Sequence, residues 1–171
     1  VRDVFRTRDM RSLPGEMGVA HCRYPTAGSA ANANEAQPFY VNSPFGIVLG
    51  HNGNLTNSDQ LKQEMFRLDL RHINTNSDSE VLLNVLAHEL DTAAQGRRLD
   101  PDKIFTAVAN VHKRVKGAYA VVAMIAGYGV LAFRDPFGIR PLIFGKNAAG
   151  DSTEYLVASE SVALTAFGFE P

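Results

Sequence analysis

The sequence predicts an α+β domain, and three observations predict it. Apolar residues recur at 3.6-residue spacing through the middle of the chain, β-type runs joined by turn residues stand on both sides, and the order is not the strand-helix alternation of a parallel sheet. With 171 residues, 45% hydrophobic and 20% charged, there is apolar material for one substantial core. We read residues 1–171 as one domain.

Taken in order, residues 1–15 mix charges with Leu13-Pro14-Gly15, which reads as a short helix or extended lead-in and then a turn. Residues 17–24 read as a buried strand, ended by Pro25. Residues 26–38 are small and polar, too poor in apolar side chains to pack, and read as a functional loop. Phe39-Tyr40-Val41, a turn at residues 42–46 and Ile47-Val48-Leu49 predict a hairpin, which runs into the polar knot Gly50-His51-Asn52-Gly53-Asn54.

Asn57 with Gln60 resembles a capping box, and Leu61, Met65 and Leu68 extend it into a helix over 58–69. Ser77-Asp78-Ser79-Glu80 starts a second helix, over 79–90, on the stripe Leu82, Leu83, Leu86, Ala87 and Leu90. Asp100-Pro101 starts a third, with Ile104, Ala107, Val108, Val111 and Val115 on one face and Gly117 as its stop. Strands follow at 118–125, 130–133, 142–145 and 155–158, with residues 146–153 as a polar loop, and Ser159-Glu160-Ser161 caps a short helix that runs to about Phe167.

Composition excludes several function classes. The net charge is −1 with both signs dispersed, so no nucleic-acid partner and no membrane surface is expected. The single cysteine, Cys22, cannot form an internal disulfide, and no Cys and His set has metal-ligand spacing, which fits a cytoplasmic setting without a metal in this domain. Cys22 reads as a small core residue of its strand rather than a nucleophile.

The candidate chemistry is polar. Taken alone, Asn52-Gly53 reads as a turn; it can also offer a side-chain amide and a backbone N–H side by side, the two donors a tetrahedral oxyanion needs. Arg23 could hold a carboxylate through its planar fork, or make a structural salt bridge. Asp78 could take an ammonium, or only complement a helix start. Together Arg23 and Asp78 suit the two charged groups of an α-amino acid. His21 and His51 could be donors or satisfied strand-end imidazoles.

These residues sit in motifs. His21-Cys-Arg23-Tyr-Pro-Thr26-Ala-Gly28, Glu35-Ala-Gln-Pro38-Phe39, His51-Asn52-Gly53-Asn54-Leu55, Asn76-Ser77-Asp78-Ser79-Glu80 and Arg134-Asp-Pro-Phe-Gly138-Ile-Arg140-Pro141-Leu142 resemble, in order and spacing, the glutaminase domain of class II glutamine amidotransferases. These are N-terminal-nucleophile hydrolases, so the resemblance implies a four-layer αββα sandwich, here lacking its first strands. It implies glutamine as ligand, Asn52 and Gly53 as oxyanion hole, Arg23 on the α-carboxylate, Asp78 on the α-ammonium, and Thr26 as a further contact. It also implies attack by an N-terminal cysteine thiol whose own amine is the base.

Residues 155–164 and the turn at 42–47 are most similar to the branch that opens purine synthesis, in which ammonia passes to a phosphoribosyltransferase-type domain that uses Mg, in a homo-oligomeric parent. Asparagine synthetase, sugar-phosphate aminotransferases and a non-catalytic glutamine-binding module are the alternatives. Since the motif that carries the nucleophile is not in the sequence, the chain is expected to be a fragment that does not hydrolyse glutamine by itself.

Overall fold

The computed structural model describes residues 6–22 and 35–171. Among them, helices α1 (Thr7–Arg11), α2 (Ser58–Asp69), α3 (Asp78–Ala94), α4 (Pro101–Arg114) and α5 (Ser161–Thr165) accompany strands β1 (Phe39–Val41), β2 (Ile47–Leu55), β3 (Gly117–Ile125), β4 (Gly129–Arg134), β5 (Ile143–Ala149) and β6 (Ser152–Ala158). The α+β reading holds: β1-β2-β3-β4 form one antiparallel sheet, and β5-β6 a second, two-stranded one. Each sheet carries helix. α3 packs on β1 and β2 with α2 and α4 against it, and α5 packs on β5 and β6.

The helical core follows from the stripes in the sequence. Leu82, Leu83, Leu86 and Leu90 of α3 are all but fully buried, as are Leu61 and Met65 of α2 and Val111 of α4. Burying one such side chain contributes about 1.5–3 kcal/mol, so this layer carries much of the stability. β2 and β3 supply the opposing surface from one face: Ile47, Leu49, Tyr119, Val121, Ala123 and Ile125 are buried. These positions alternate along each strand, as a half-buried sheet requires.

Helix starts are built as the sequence suggests in two of four cases, and the cap expected at Ser159-Glu160-Ser161 makes no side-chain hydrogen bond. Ser77 accepts from the Ser79 N–H at 3.3 Å, and Asp100 from the Lys103 N–H at 2.9 Å with Pro101 in the first turn. The capping box expected at Asn57 does not form. The Asn57 amide is taken instead by the far end of α4, accepting from the Lys116 N–H and donating to the Arg114 carbonyl, each at 2.9 Å. A tertiary partner outcompetes the local one, and the exchange ties α2 to the α4–β3 link.

Three further expectations are corrected. Residues 17–22 form no strand, and Cys22 is exposed rather than a core residue. Among the described residues no strand pairs with this segment; it lies over β2 instead, where a Cβ at Gly50 would come within 3.8 Å of Val19 and His21. The polar segment 146–153 is not a loop, because β5 and β6 extend through it to a tight tip at Gly150. The polar knot at residues 50–54 is not a turn: β2 runs straight through it, with Asn52 opposite Ala120, Gly53 opposite Tyr119 and Asn54 opposite Ala118.

Candidate active site

Gly53 explains why an Asn-Gly pair lies inside a strand. Its φ is +148°, and a Cβ there would sit 2.0 Å from the Ala118 carbonyl oxygen. Gly117 does the same from the other strand: its φ is +137° and its Cβ would meet the Asn54 carbonyl at 2.3 Å. The two glycines let β2 and β3 close on one another where any side chain would hold them apart. The conformational freedom that makes Asn-Gly a turn former is used here for close approach.

Strand geometry then assigns the backbone donors of β2. Its N–H groups alternate between the two edges, and β1 pairs with β2 only as far as Phe39 opposite Leu49. Beyond that point other groups take over the vacated edge. The His51 N–H donates to Gln37 Oε1 at 2.6 Å, and the Leu55 N–H donates to Asp78 Oδ2 at 2.9 Å. Gly53 lies midway between these two, so alternation points its N–H to the same edge. Asp78 is thus bound to the strand; the helix start itself is capped by Ser77.

Side chains alternate across the sheet in the same way. His51 points to the helices, with its Nδ1 2.9 Å from Ser79 Oγ and 3.8 Å from Asp78 Oδ1. It is buried, and burial lowers its pKa to about 4 against the upward pull of Asp78, with His21 and Arg140 adding to the lowering. The ring is neutral near pH 7 and acts as a hydrogen-bonding wedge between β2 and α3. Asn52 points the other way, where its Oδ1 accepts from the Arg140 guanidinium.

Arg140 comes from the loop after β4, and that loop is wound around one carboxylate. Asp135 is buried, and its oxygens accept from the N–H groups of Phe137 at 3.0 Å, Ile139 at 3.1 Å, Arg140 at 3.1 Å and Tyr119 at 3.3 Å. Burial by itself would raise its pKa; these donors together outweigh burial and hold it low. Glu80 organises the approach to α3 in the same manner, accepting from the backbone and side chains of Asn74 and Thr75 at 2.7–3.2 Å. Burial again opposes the result, and the four hydrogen bonds again win.

Asn52, Gly53, Asp78 and Arg140 line one cleft of about 880 Å³, which His21, Cys22 and Gln37 also border. The sequence-derived candidates Asn52, Gly53 and Asp78 therefore come together. Arg23 and Thr26 lie outside the described residues. The described residues contain no group of three His, Cys, Asp or Glu side chains placed to hold a metal ion. No helix among them is long and apolar enough to cross a membrane. Sequence reasoning missed Gln37 and Arg140 as site residues. Both stand in motifs already noted, and an Asp-Pro-x-Gly turn followed by an arginine was the available signal for the second.

A side-chain amide and a backbone N–H beside an acidic helix start are the groups an acyl-transfer site would use, and the match to known families is specific. The chain belongs to the glutamine amidotransferase domain family, whose model matches residues 26–166. Its relatives narrow this further. It is 60% identical to the amidophosphoribosyltransferase of Pseudomonas aeruginosa, covering 99% of this chain and 33% of that protein. It is 57% identical to that of Escherichia coli, covering 99% and 34%. Among solved structures, glutamine phosphoribosylpyrophosphate amidotransferase from B. subtilis, complexed with ADP and GMP, superposes with a TM-score of 0.64 at 30% identity, covering 87% of this chain and 29% of that one. The chain spans about a third of the length of the curated relatives it matches.

Proposed function

We propose that this chain is the glutamine-binding, ammonia-releasing part of an amidophosphoribosyltransferase. The observation that carries the reading is the shared cleft: Asn52, Gly53 and Asp78 line it together, and Asp78 is held by the Leu55 N–H on the edge of β2 to which alternation also points the Gly53 N–H. An amino acid whose ammonium meets Asp78 would extend its side chain along that edge toward the two donors. Asp78 keeps acceptor capacity for this, since its carboxylate holds more lone pairs than its present partners use.

In this reading Asn52 Nδ2 and the Gly53 N–H stabilise the oxyanion formed when a thiolate attacks the glutamine carboxamide. The carbon–nitrogen bond breaks, ammonia leaves with a proton from the attacking residue's own amine, and water hydrolyses the thioester to glutamate. The thiolate is the N-terminal cysteine that the family resemblance implies, and Cys22 is a bystander at the rim. Arg23 holds the α-carboxylate, and Thr26 adds a further contact to the ligand. Ammonia passes to a phosphoribosyltransferase domain, which uses Mg and displaces pyrophosphate from phosphoribosylpyrophosphate. The same reading places the work in the cytoplasm, in an association of full-length copies.

The test uses the full-length protein, with glutamine and ammonia as alternative nitrogen donors. Asn52→Ala should lower kcat with glutamine about 100- to 1,000-fold, the usual cost of one oxyanion donor, and leave the ammonia-dependent reaction unchanged. Asp78→Asn should act mainly on the KM for glutamine, and Cys22→Ala on neither. Equal loss with both nitrogen donors, or full glutamine-dependent activity in Asn52→Ala, would overturn the reading.

A further inference from the structure

We propose that Arg140 is the positioning residue of the oxyanion pair: its guanidinium dictates which way the Asn52 amide faces, and the Asp135 loop dictates where Arg140 stands. The inference rests on the reading of Asn52 as an oxyanion donor and adds to it the device that makes that donor available.

A side-chain amide has two orientations related by a half-turn, and only one of them presents N–H to a developing anion. Arginine carries five N–H donors and no acceptor, so the atom it meets on Asn52 must be Oδ1. With Oδ1 held, Nδ2 is turned away from the guanidinium. The flipped rotamer would set N–H against N–H and forfeit a charge-assisted bond, so the productive orientation exists before substrate arrives. A lone asparagine on a strand has no such bias.

The guanidinium is itself placed by the chain around it. Asp135 gathers the N–H groups of Phe137, Ile139 and Arg140 from the loop and of Tyr119 from β3, the strand paired with Asn52 and Gly53. Gly138, at a φ of +65°, lets the loop turn tightly enough to aim three N–H groups at one carboxylate. The Cα of Arg140 is therefore fixed relative to β3, and through β3 to β2. Two residues 88 positions apart in sequence are set in register by one buried anion.

The test again uses the full-length protein and reads kcat and KM for glutamine, with ammonia-dependent turnover reporting that the rest of the protein is intact. Arg140→Met should lower kcat with glutamine about 10- to 100-fold, with KM within about 2-fold and the ammonia reaction unchanged. Arg140→Lys, which keeps a charged donor, should recover most of the loss. Because Arg140 acts through Asn52, Arg140→Met should cost nothing further in an Asn52→Ala background. The proposal is overturned if Arg140→Met leaves kcat unaltered, if it raises KM alone, or if its effect adds in full to that of Asn52→Ala. It falls together with the oxyanion reading if Asn52→Ala is itself silent. Should Arg140→Met lose both activities, Arg140→Gln decides, because its amide can donate or accept and so leaves the Asn52 amide unbiased: a kcat defect confined to glutamine supports the proposal, and wild-type kinetics overturn it.

Discussion

The imidazole Nδ1 of His51 lies 2.9 Å from Ser79 Oγ, joining the strand that carries the candidate oxyanion donors to the first turn of the helix that carries Asp78. The pair is buried, so the spacing between the two halves of the proposed glutamine site is fixed by a contact inside the core. Ligand is not needed to set it.

That contact has a pH signature. The folded pKa of His51 is about 4 and the ordinary value is 6.5. Between these values the unfolded chain holds a proton that the folded one does not, so stability falls as pH is lowered from about 6.5 to about 4, by a total on the order of 3 kcal/mol. His112, lowered by burial against the opposing pull of Asp135, adds in the same direction below 6.5. Glu80 and Asp135, held low in the fold, add their own losses only further down, below their unfolded values. In His51→Gln the drop in urea midpoint between about pH 7.5 and about pH 5 should shrink clearly. An undiminished drop would show that the acid lability comes from elsewhere.

Gly53 should tolerate no side chain. In Gly53→Ala the new Cβ would collide with the backbone of Ala118, and nothing flexible can give way. We expect a loss of at least about 3 kcal/mol, or no folded protein. Gly150→Ala, also at positive φ (+61°) but with open space around it, should cost only about 1–2 kcal/mol. Denaturant unfolding of the two variants side by side checks the contrast, and similar losses would mean that the close strand approach is unimportant.

Arg114 joins three helices through two carboxylates. It meets Glu89 of α3 at 2.5 Å and Glu64 of α2 at 3.1 Å, and of the two partners Glu89 is the buried one, at 6% exposure. Arg114→Met should cost about 3–5 kcal/mol, because it strands the Glu89 charge in the interior. Adding Glu89→Leu should restore most of that. A double variant no more stable than Arg114→Met would refute the account.

The sequence made the helices legible because their stripes are local. Leu82, Leu83, Leu86 and Leu90 announce α3 at their own spacing, and Asp100-Pro101 announces the start of α4. Asn52, Gly53 and Asp78 were legible as chemistry, and the cleft brings them together. What was not legible depends on partners far away in the chain. Asn57 looks like a cap until Arg114 and Lys116 claim its amide. Asn52-Gly53 looks like a turn until β3 pairs through it. Arg140 looks like part of a turn motif until Asp135 aims it, and no local spacing contains the 88-residue separation between it and Asn52.

Since neighbouring residues of β2 serve opposite sides, with His51 toward Ser79 and Asn52 toward Arg140, the strand is constrained in length more tightly than in composition. Dropping one residue from 47–49 would exchange the two sides, sending the imidazole into the cleft and the amide into the core, with every downstream contact inverted. Insertions and deletions should therefore be purged from β2 even where substitutions at half-exposed Val48 are accepted. The β5–β6 tip at Gly150, where an added Cβ would meet no other residue within 4 Å, is where natural variation in chain length can accumulate.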